Sequence, residues 1–446
     1  MIPRLQHRWQ EMRASFWFVP AMIVVGAVGL ATGLIAVDAT VELHVDKRWP
    51  LVFGAGAAGA RGLLTAVASS MITVAGVVFS ITIVALSLTS SQYTSRVLRN
   101  FMRDQMNQVV LGVFLGIFAY CLVVLRTIRG GDERAFVPSL AVLGGLVLAF
   151  VGIAFLIYFI HHISLSIQAS SIIAAAAEET IAAIDHLFPK GLGDNADEDE
   201  ATMATLAERT WSAVAAPRTG YIESIDGETL LVLARQRGII VRLERGVGEF
   251  VVEGTPILSV ASVGGSDDVT DSELHRICVI SRQRTVQQDA GFGIRQIVDI
   301  AMKALSPGVN DTTTAVMCVD YLGAIIARLA LRGIATPHRL DDGELRVIAR
   351  GPSFESLLNE AFDQIRQNGG GNVAVLTRQV QALETIAGQT ENARRRQALR
   401  HQAELIAAVT DRTITLAQDG AGVKAAMDRL FQVLDTPTGR PPGFPS

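Results

Sequence analysis

Two sets of residues have the types and spacing to do chemistry. The first is a series of carboxylates and amides in the second half of the chain: Asp289, Asp299, Asn310, Asp311 and Asp320, with Arg295 among them and Pro307 in the intervening turn. Brought to one point, such groups would hold a cation or a polar substrate. The second is a row of hydroxyls. Ser69, Thr73, Gly76, Ser80, Ser87 and Ser91 follow steps of 4, 3, 4, 7 and 4 residues, one stripe on a helix. On an apolar helix, such a stripe either packs against neighbouring helices or replaces water around a permeating ion or solute. Both readings stand at this point. So do two readings of the carboxylate set, a ligand site or a capped structural turn.

The sequence holds no nucleophile–base pair, phosphate loop or metal-ligand spacing. No catalytic residue, metal or cofactor is therefore predicted, and the expectation is a protein that is not an enzyme. Cys121, Cys278 and Cys318 are too few and too scattered for a disulfide framework or a zinc site. His161 and His162 are adjacent, so they point to different helix faces and do not form an i, i+4 metal pair. They read as interfacial anchors. The acids of 194–200 lack the spacing and central Gly of a calcium loop. Arg394, Arg395 and Arg396, with Arg400 one turn on, read as a solvated helix face.

The elements that must position these residues begin in lipid. Half of the 446 residues are hydrophobic, only 18% are charged, and the mean hydropathy is +0.35. Four uncharged runs qualify as spans of a hydrocarbon core of about 30 Å: Phe16–Val37, Leu63–Leu88, Met106–Leu125 and Val137–Ile160. The first reads as a retained helix, because it is long for a signal peptide and Pro20 interrupts its start. Its Gly29 and Gly33 form a GxxxG pair, a helix-contact device. The Gly/Ala-rich stretch 54–62 reads as a tight entry to the second helix or as a re-entrant segment. That helix is expected to continue toward Arg99. Loop arginines are evenly distributed, so orientation rests on the three Arg ahead of the first span, which place both termini in the cytoplasm.

Residues 1–159 hold 12 Lys+Arg and 7 Asp+Glu, a net of +5. The remainder carries a net of −9, which argues against nucleic acid as a partner. The expected fold is an α-helical membrane domain of four transmembrane helices over 1–163, followed by a mixed α+β soluble domain. A helical connector with an acidic linker covers 164–211, its helix continuing the fourth span to Leu187. A small β-barrel-like domain covers 212–262, with apolar runs at Leu230–Ala234, Ile239–Leu243 and Pro256–Val260. Within it, Gly248–Leu258 looks like a hairpin of biotinyl/lipoyl-like barrels, although no carrier lysine is present, and an unrelated barrel or sandwich fits as well. Residues 263–434 are read as mainly helical. One helix opens at Gln287–Gln296 and runs to about Leu305; a second starts at Thr312–Thr314, with Asp311 or Thr312 as cap. A short strand at Leu345–Ala349 and two or three helices from Asn372 follow, ending in C-terminal helices and a mobile tail over 435–446.

Three stretches also carry a family resemblance. They are Gly62–Ser80 with Ser90-Ser91-Gln92-Tyr93; Leu98–Met102; and Asp289, Phe292–Gln296, Asp299–Ala301, Ala304–Asp311 and Thr314-Ala315. The chain resembles bacterial predicted membrane proteins grouped as a domain of unknown function, number 2254. One departure is Thr312, where the family has Pro after the Asn-Asp pair. The resemblance implies a multi-pass protein of the bacterial inner membrane and supplies no activity.

The expected function is channel-like or passive transport of ions or small solutes. A homo-oligomer in the lipid bilayer would conduct through the Ser/Thr-lined second helix, gated or capped by the cytosolic domain. The alternative is a membrane-tethered sensor or scaffold whose cytosolic domain binds a ligand or protein partner around Asp289–Asp311.

Overall fold

A computed structural model describes residues 17–40, 56–92, 105–129, 136–188, 209–262, 271–334, 337–341 and 344–436, without the side chains of 89–92, 105, 271 and 341. The Ser91 side chain, the helix beyond Gln92, the acidic run 194–200 and the tail from 437 lie outside the described residues. The chain divides into two compact units, Met1–Ser171 and Ile172–Ser446.

In the first unit the four apolar runs form helices α1 (Phe18–Thr40), α2 (Ala57–Gln92), α3 (Gln105–Thr127) and α4 (Ser139–Ser166). α3 packs against the other three. The helices approach closely where α3 and α4 carry glycine. A Cβ on Gly112 would lie 2.9 Å from the Pro20 backbone, and one on Gly116 would lie 3.3 Å from Ala27. Gly144, Gly145 and Gly152 of α4 are pressed by Tyr120, Leu64 and Met71. The working GxxxG pair is thus Gly112/Gly116. Gly29 and Gly33 instead have open space around them.

Polar side chains tie one end of this bundle. Asp38, at the end of α1, accepts from the amides of Leu140 (3.2 Å) and Ala141 (3.1 Å), groups without an intrahelical partner in the first turn of α4. Tyr120 donates its hydroxyl to the Ala141 carbonyl at 2.7 Å. Arg61 donates to the Ile128 carbonyl at 2.7 Å, just past the end of α3.

The fourth span does not run unbroken to Leu187. α4 ends at Ser166, and α5 (Ala169–Leu187) starts after a break at Ile167-Gln168. Ser164 and Ser166 bond back to the carbonyls four residues earlier, a competition that bends helices. The Gln168 amide then turns to Leu165. His162 stacks on Tyr158, with Nε2 3.3 Å from Ser166 Oγ.

The second unit starts with β1 (Ser212–Ala215), β2 (Gly220–Ile225), α6 (Gly227–Arg237), β3 (Ile239–Leu243), β4 (Phe250–Val251) and β5 (Pro256–Ser262). The apolar run Leu230–Ala234 is helical, not a strand. Asp226 caps α6 by accepting from the Thr229 amide, and Gly238 ends it with φ +60°, so start and stop signals outweigh the run's strand propensity. Gly248–Leu258 is not a paired hairpin either. β4 pairs with β2, whereas β5 pairs with β1 and β3, and the chain turns between two sheets at Gly254 (φ +82°). The β region also reaches beyond residue 262.

After α7 (Asp271–Ile277) comes β6 (Cys278–Ser281), which completes the sheet β4-β2-β6. Helices α8 (Ala290–Ala304) and α9 (Thr312–Ala330) then precede β7 (His338–Asp341) and β8 (Glu344–Ile348). β8 lies parallel to β3 in the five-stranded sheet β1-β5-β3-β8-β7. Helices α10 (Phe354–Asn368), α11 (Val373–Ala387), α12 (Ala393–Thr413) and α13 (Ala417–Asp435) finish the unit. α8 and α9 lie in the helical layer with α10 and α11. Ile294, Ile297, Val298 and Ala301 of α8 are fully buried there. Each larger one contributes about 1.5–3 kcal/mol in apolar transfer.

Among the described residues, five helices are long and apolar enough to cross a membrane: α1 to α4 and also α9, where the sequence reading counts four.

Candidate functional site

The carboxylate and amide set does not converge. Asp289 caps the N-terminus of α8, accepting from the Phe292 amide at 3.0 Å. Asn310 and Asp311 lie beyond its C-terminus. The helix between them has 15 residues, so about 22 Å separates its ends. Each residue has its own local task. Asp289 is nearly buried and holds Arg284 in a two-pronged pair, Nε–Oδ2 2.7 Å and Nη2–Oδ1 3.0 Å. Gly248, at φ +85°, lies against the Asp289 carboxylate, where a Cβ has no room. This packing joins the turn before β4 to the start of α8.

One turn along α8, Arg295 pairs with Glu360 of α10 at 3.0 Å. Asp299 is half-buried on the same helix. Asp320, in the middle of α9, pairs with Arg378 of α11. The turn from Ser306 through Pro307 to Asp311 is folded on itself: the Asp311 amide donates to Ala304 at 2.8 Å, and Asn310 takes φ +49°. Asp311 then caps α9, accepting from the Thr314 amide (3.0 Å) and the Thr314 hydroxyl (2.6 Å). The hydroxyl bond, with the amide bonds behind it, holds this carboxyl below the ordinary aspartate range. Thr312 occupies the first helical position, where Pro is also well accommodated. Its Oγ1 accepts from the Asn372 side chain at 2.8 Å, which joins the starts of α9 and α11. The geometry is that of a capped structural turn.

Arg394 is exposed, as the sequence suggests, but the other arginines of the run are engaged with the protein. Arg395 is buried and donates to the carbonyls of Ala330 and Arg332 at 2.8 Å, at the C-terminal end of α9. Its guanidinium also lies over the Phe354 ring. Arg396 reaches the Val433 and Thr436 carbonyls at the end of α13, and Arg400 pairs with Asp435. A cation at a helix C-terminus satisfies free carbonyls and complements the helix dipole. Sequence spacing contains no sign of the helix ends these arginines meet. Glu360 and Asp185 also escape a sequence reading, because their partners lie far along the chain. Asp185 of α5 pairs with Arg328 at 2.6 Å and with the buried Arg332, both belonging to or following α9. The Arg328 bond leads in pulling its pKa below the usual value. The three cysteines are buried and unpaired, and burial pushes the Cys278 thiol up to about 11.

The hydroxyl stripe has a different setting. α2 packs through Ala60, Leu64, Ala68, Met71, Ala75 and Val78. At 100° per residue this face lies opposite the one carrying Ser69, Thr73, Gly76, Ser80 and Ser87. All five stripe residues are exposed, and Gly76 has nothing within 4 Å of where a Cβ would stand. Thr73 returns its hydroxyl to the Ser69 carbonyl at 2.8 Å. The stripe therefore takes no part in the packing of its own bundle. Gly62, two turns before Ser69, falls on the same face and is equally open. In α1, Gly26, Gly29 and Gly33 also lie open on the side away from Pro20 and Ala31, its buried residues.

A bundle of long apolar helices joined to a mixed α/β unit defines a multi-helix membrane protein. A family model described as predicted membrane protein, domain of unknown function 2254, matches residues 13–385, and the chain belongs to that family. An uncharacterized protein of Mycobacterium bovis and one of Mycobacterium tuberculosis are each 36% identical to it over 445 residues, covering 98% of this chain and 84% of each relative. No solved structure matches the chain.

Proposed function

We propose that this protein is an oligomeric conduit of the bacterial inner membrane, passing ions or small solutes along the exposed hydroxyl face of α2. In this reading it is not an enzyme. Four helices, α1 to α4, cross the bilayer. α9 does not, because its charged Asp320 and Arg328 are paired within the second unit. With four spans both termini share one side, taken here as the cytoplasm.

The observation that carries the proposal is the opposition of the two faces of α2. Packing within one bundle accounts for the apolar face only. A row of hydroxyls and open glycines turned outward fits a second copy of the chain better than lipid tails, which offer hydroxyls no partner. Around a shared axis the same row supplies oxygens to a permeating species. α2 is also long, at 36 residues or about 54 Å. With Arg61 at one interface, about 20 residues reach the other, and the last turns, including Ser87, project beyond the hydrocarbon. The open glycine face of α1 gives the protomer a second surface for a neighbouring copy.

Reconstitution of the purified full chain tests the function. Proteoliposomes should release trapped salt or small solutes, and planar bilayers should show discrete conductance. Ser80→Leu with Thr73→Val should suppress both. Tight vesicles and silent bilayers under voltage, tension and changes of salt would sink the proposal.

A further inference from the structure

A groove of about 330 Å³ lies between α2 and α4, floored by Phe114 of α3. Val67, Ser70 and Met71 form one wall, and Ala149 and Gly152 belong to the other. We infer that this groove is a binding site for one acyl chain of a bilayer lipid.

Three observations carry the inference. First, the walls are hydrocarbon except for Ser70, and a buried water needs two to four polar partners that this groove does not offer. Second, its size excludes a whole helix of a neighbouring copy as occupant. A helix with side chains is about 10–12 Å across, too wide for this volume, whereas a flexible chain fits. The helices also close beneath it: a Cβ on Gly152 would lie 3.0 Å from Met71 Sδ and 3.1 Å from Ile117. Small side chains at Ala66, Ser70 and Ala149 keep the mouth open. Third, the groove is continuous with the outer apolar surface of the bundle. Ile153 lines it and is half exposed, and Phe150 and Ile157 continue that surface along α4. These helices are the part of this membrane protein that meets lipid. A chain entering sideways meets no polar barrier, and it restores the dispersion contacts that an empty groove forfeits. Small residues at the mouth, above a bulky floor, set this place apart from a smooth helix surface.

The inference does not depend on conduction, so either can fail alone. The test uses the purified full chain, washed exhaustively in detergent, with retained phospholipid counted by mass spectrometry of the intact protein. About one lipid per chain is expected to survive the wash. Ser70→Phe fills the groove from an exposed position and should cut retention about tenfold. Ala149→Phe does the same from the opposite wall and is read if the first variant does not elute as a single species. Val147→Phe, on the opposite side of α4, should retain lipid like the parent chain. A parent chain that keeps no lipid, or groove-filled variants that keep as much as the parent, would overturn the site.

Discussion

Helices α2 and α9 both satisfy the length and hydropathy of a membrane span, yet they solve opposite problems. α9 is an apolar helix whose charged side chains and two ends find partners in the protein. Asp311 caps its start, Arg395 covers its end, and Asp320 and Arg328 pair with Arg378 and Asp185. α2 packs one face, and its opposite face presents Ser69, Thr73, Gly76, Ser80 and Ser87 outward. Hydropathy averages around a helix and cannot separate these cases. The partners of the polar side chains can. The charged side chains of α9 find partners within one chain, whereas the hydroxyl row of α2 is exposed in this one.

Removing the most buried of these partners gives the largest expected effect. Arg395→Ala leaves the carbonyls at the end of α9 without their donor and should cost on the order of 3 kcal/mol, read as a lower midpoint in denaturant titration of the full chain. An unchanged midpoint would mean that α9 does not depend on this clamp.

Next comes a change of sign between glycines. Gly112→Ala forces a methyl onto the Pro20 backbone and should destabilise the bundle by about 1–3 kcal/mol. Gly76→Ala and Gly29→Ala meet open space within their own chain and should stabilise the isolated monomer by up to about 1 kcal/mol through helix propensity. Thermal melts in detergent would show midpoints moving in opposite directions. Losses at Gly76 and Gly29 in the assembled protein but not in the monomer would mark the neighbouring copy, whereas equal losses at all three sites in the monomer would contradict the open faces.

Cap loss is smaller. Asp311→Ala should cost about 1 kcal/mol. The Asp185 pair should contribute about 1 kcal/mol or less, being partly exposed, and its pH dependence identifies it. Its folded pKa lies below the ordinary aspartate value of 3.8, so its contribution is full above that value and is lost as pH falls through the lower one. Asp185→Asn should flatten this part of the acid limb of stability. An identical acid limb in both proteins would remove Asp185 from the account.

What the sequence disclosed follows from the range of each interaction. Spans, the Asp311 cap and the turn from α8 to α9 are local, so the hydrophobic runs, Pro307 and Asp311 announced them. The α2 stripe was visible as a period, but not the side it faces, because nothing in the helix says where α3 lies. The same reason led to Gly29/Gly33 in place of Gly112/Gly116: both pairs have contact spacing, and only packing tells which is used. Leu230–Ala234 is an apolar run with either propensity, and the caps at Asp226 and Gly238 were the overlooked local signal. Arg395 and Arg396 resemble part of a solvated face because the helix ends they cover lie some 35 to 65 residues away.

The central claim is that the outward face of α2 meets copies of itself around a common axis. Cysteine cross-linking in membranes tests it most directly. Ser69→Cys, Ser80→Cys and Ser87→Cys would be introduced singly, with Cys121, Cys278 and Cys318 replaced by Ala. The account predicts disulfide-linked dimers at the stripe positions and, with a bifunctional reagent, a ladder that ends at a fixed subunit number. A chain that stays monomeric at all three positions, or that links equally from Ile72 and Ile81 on the flanks, would contradict it.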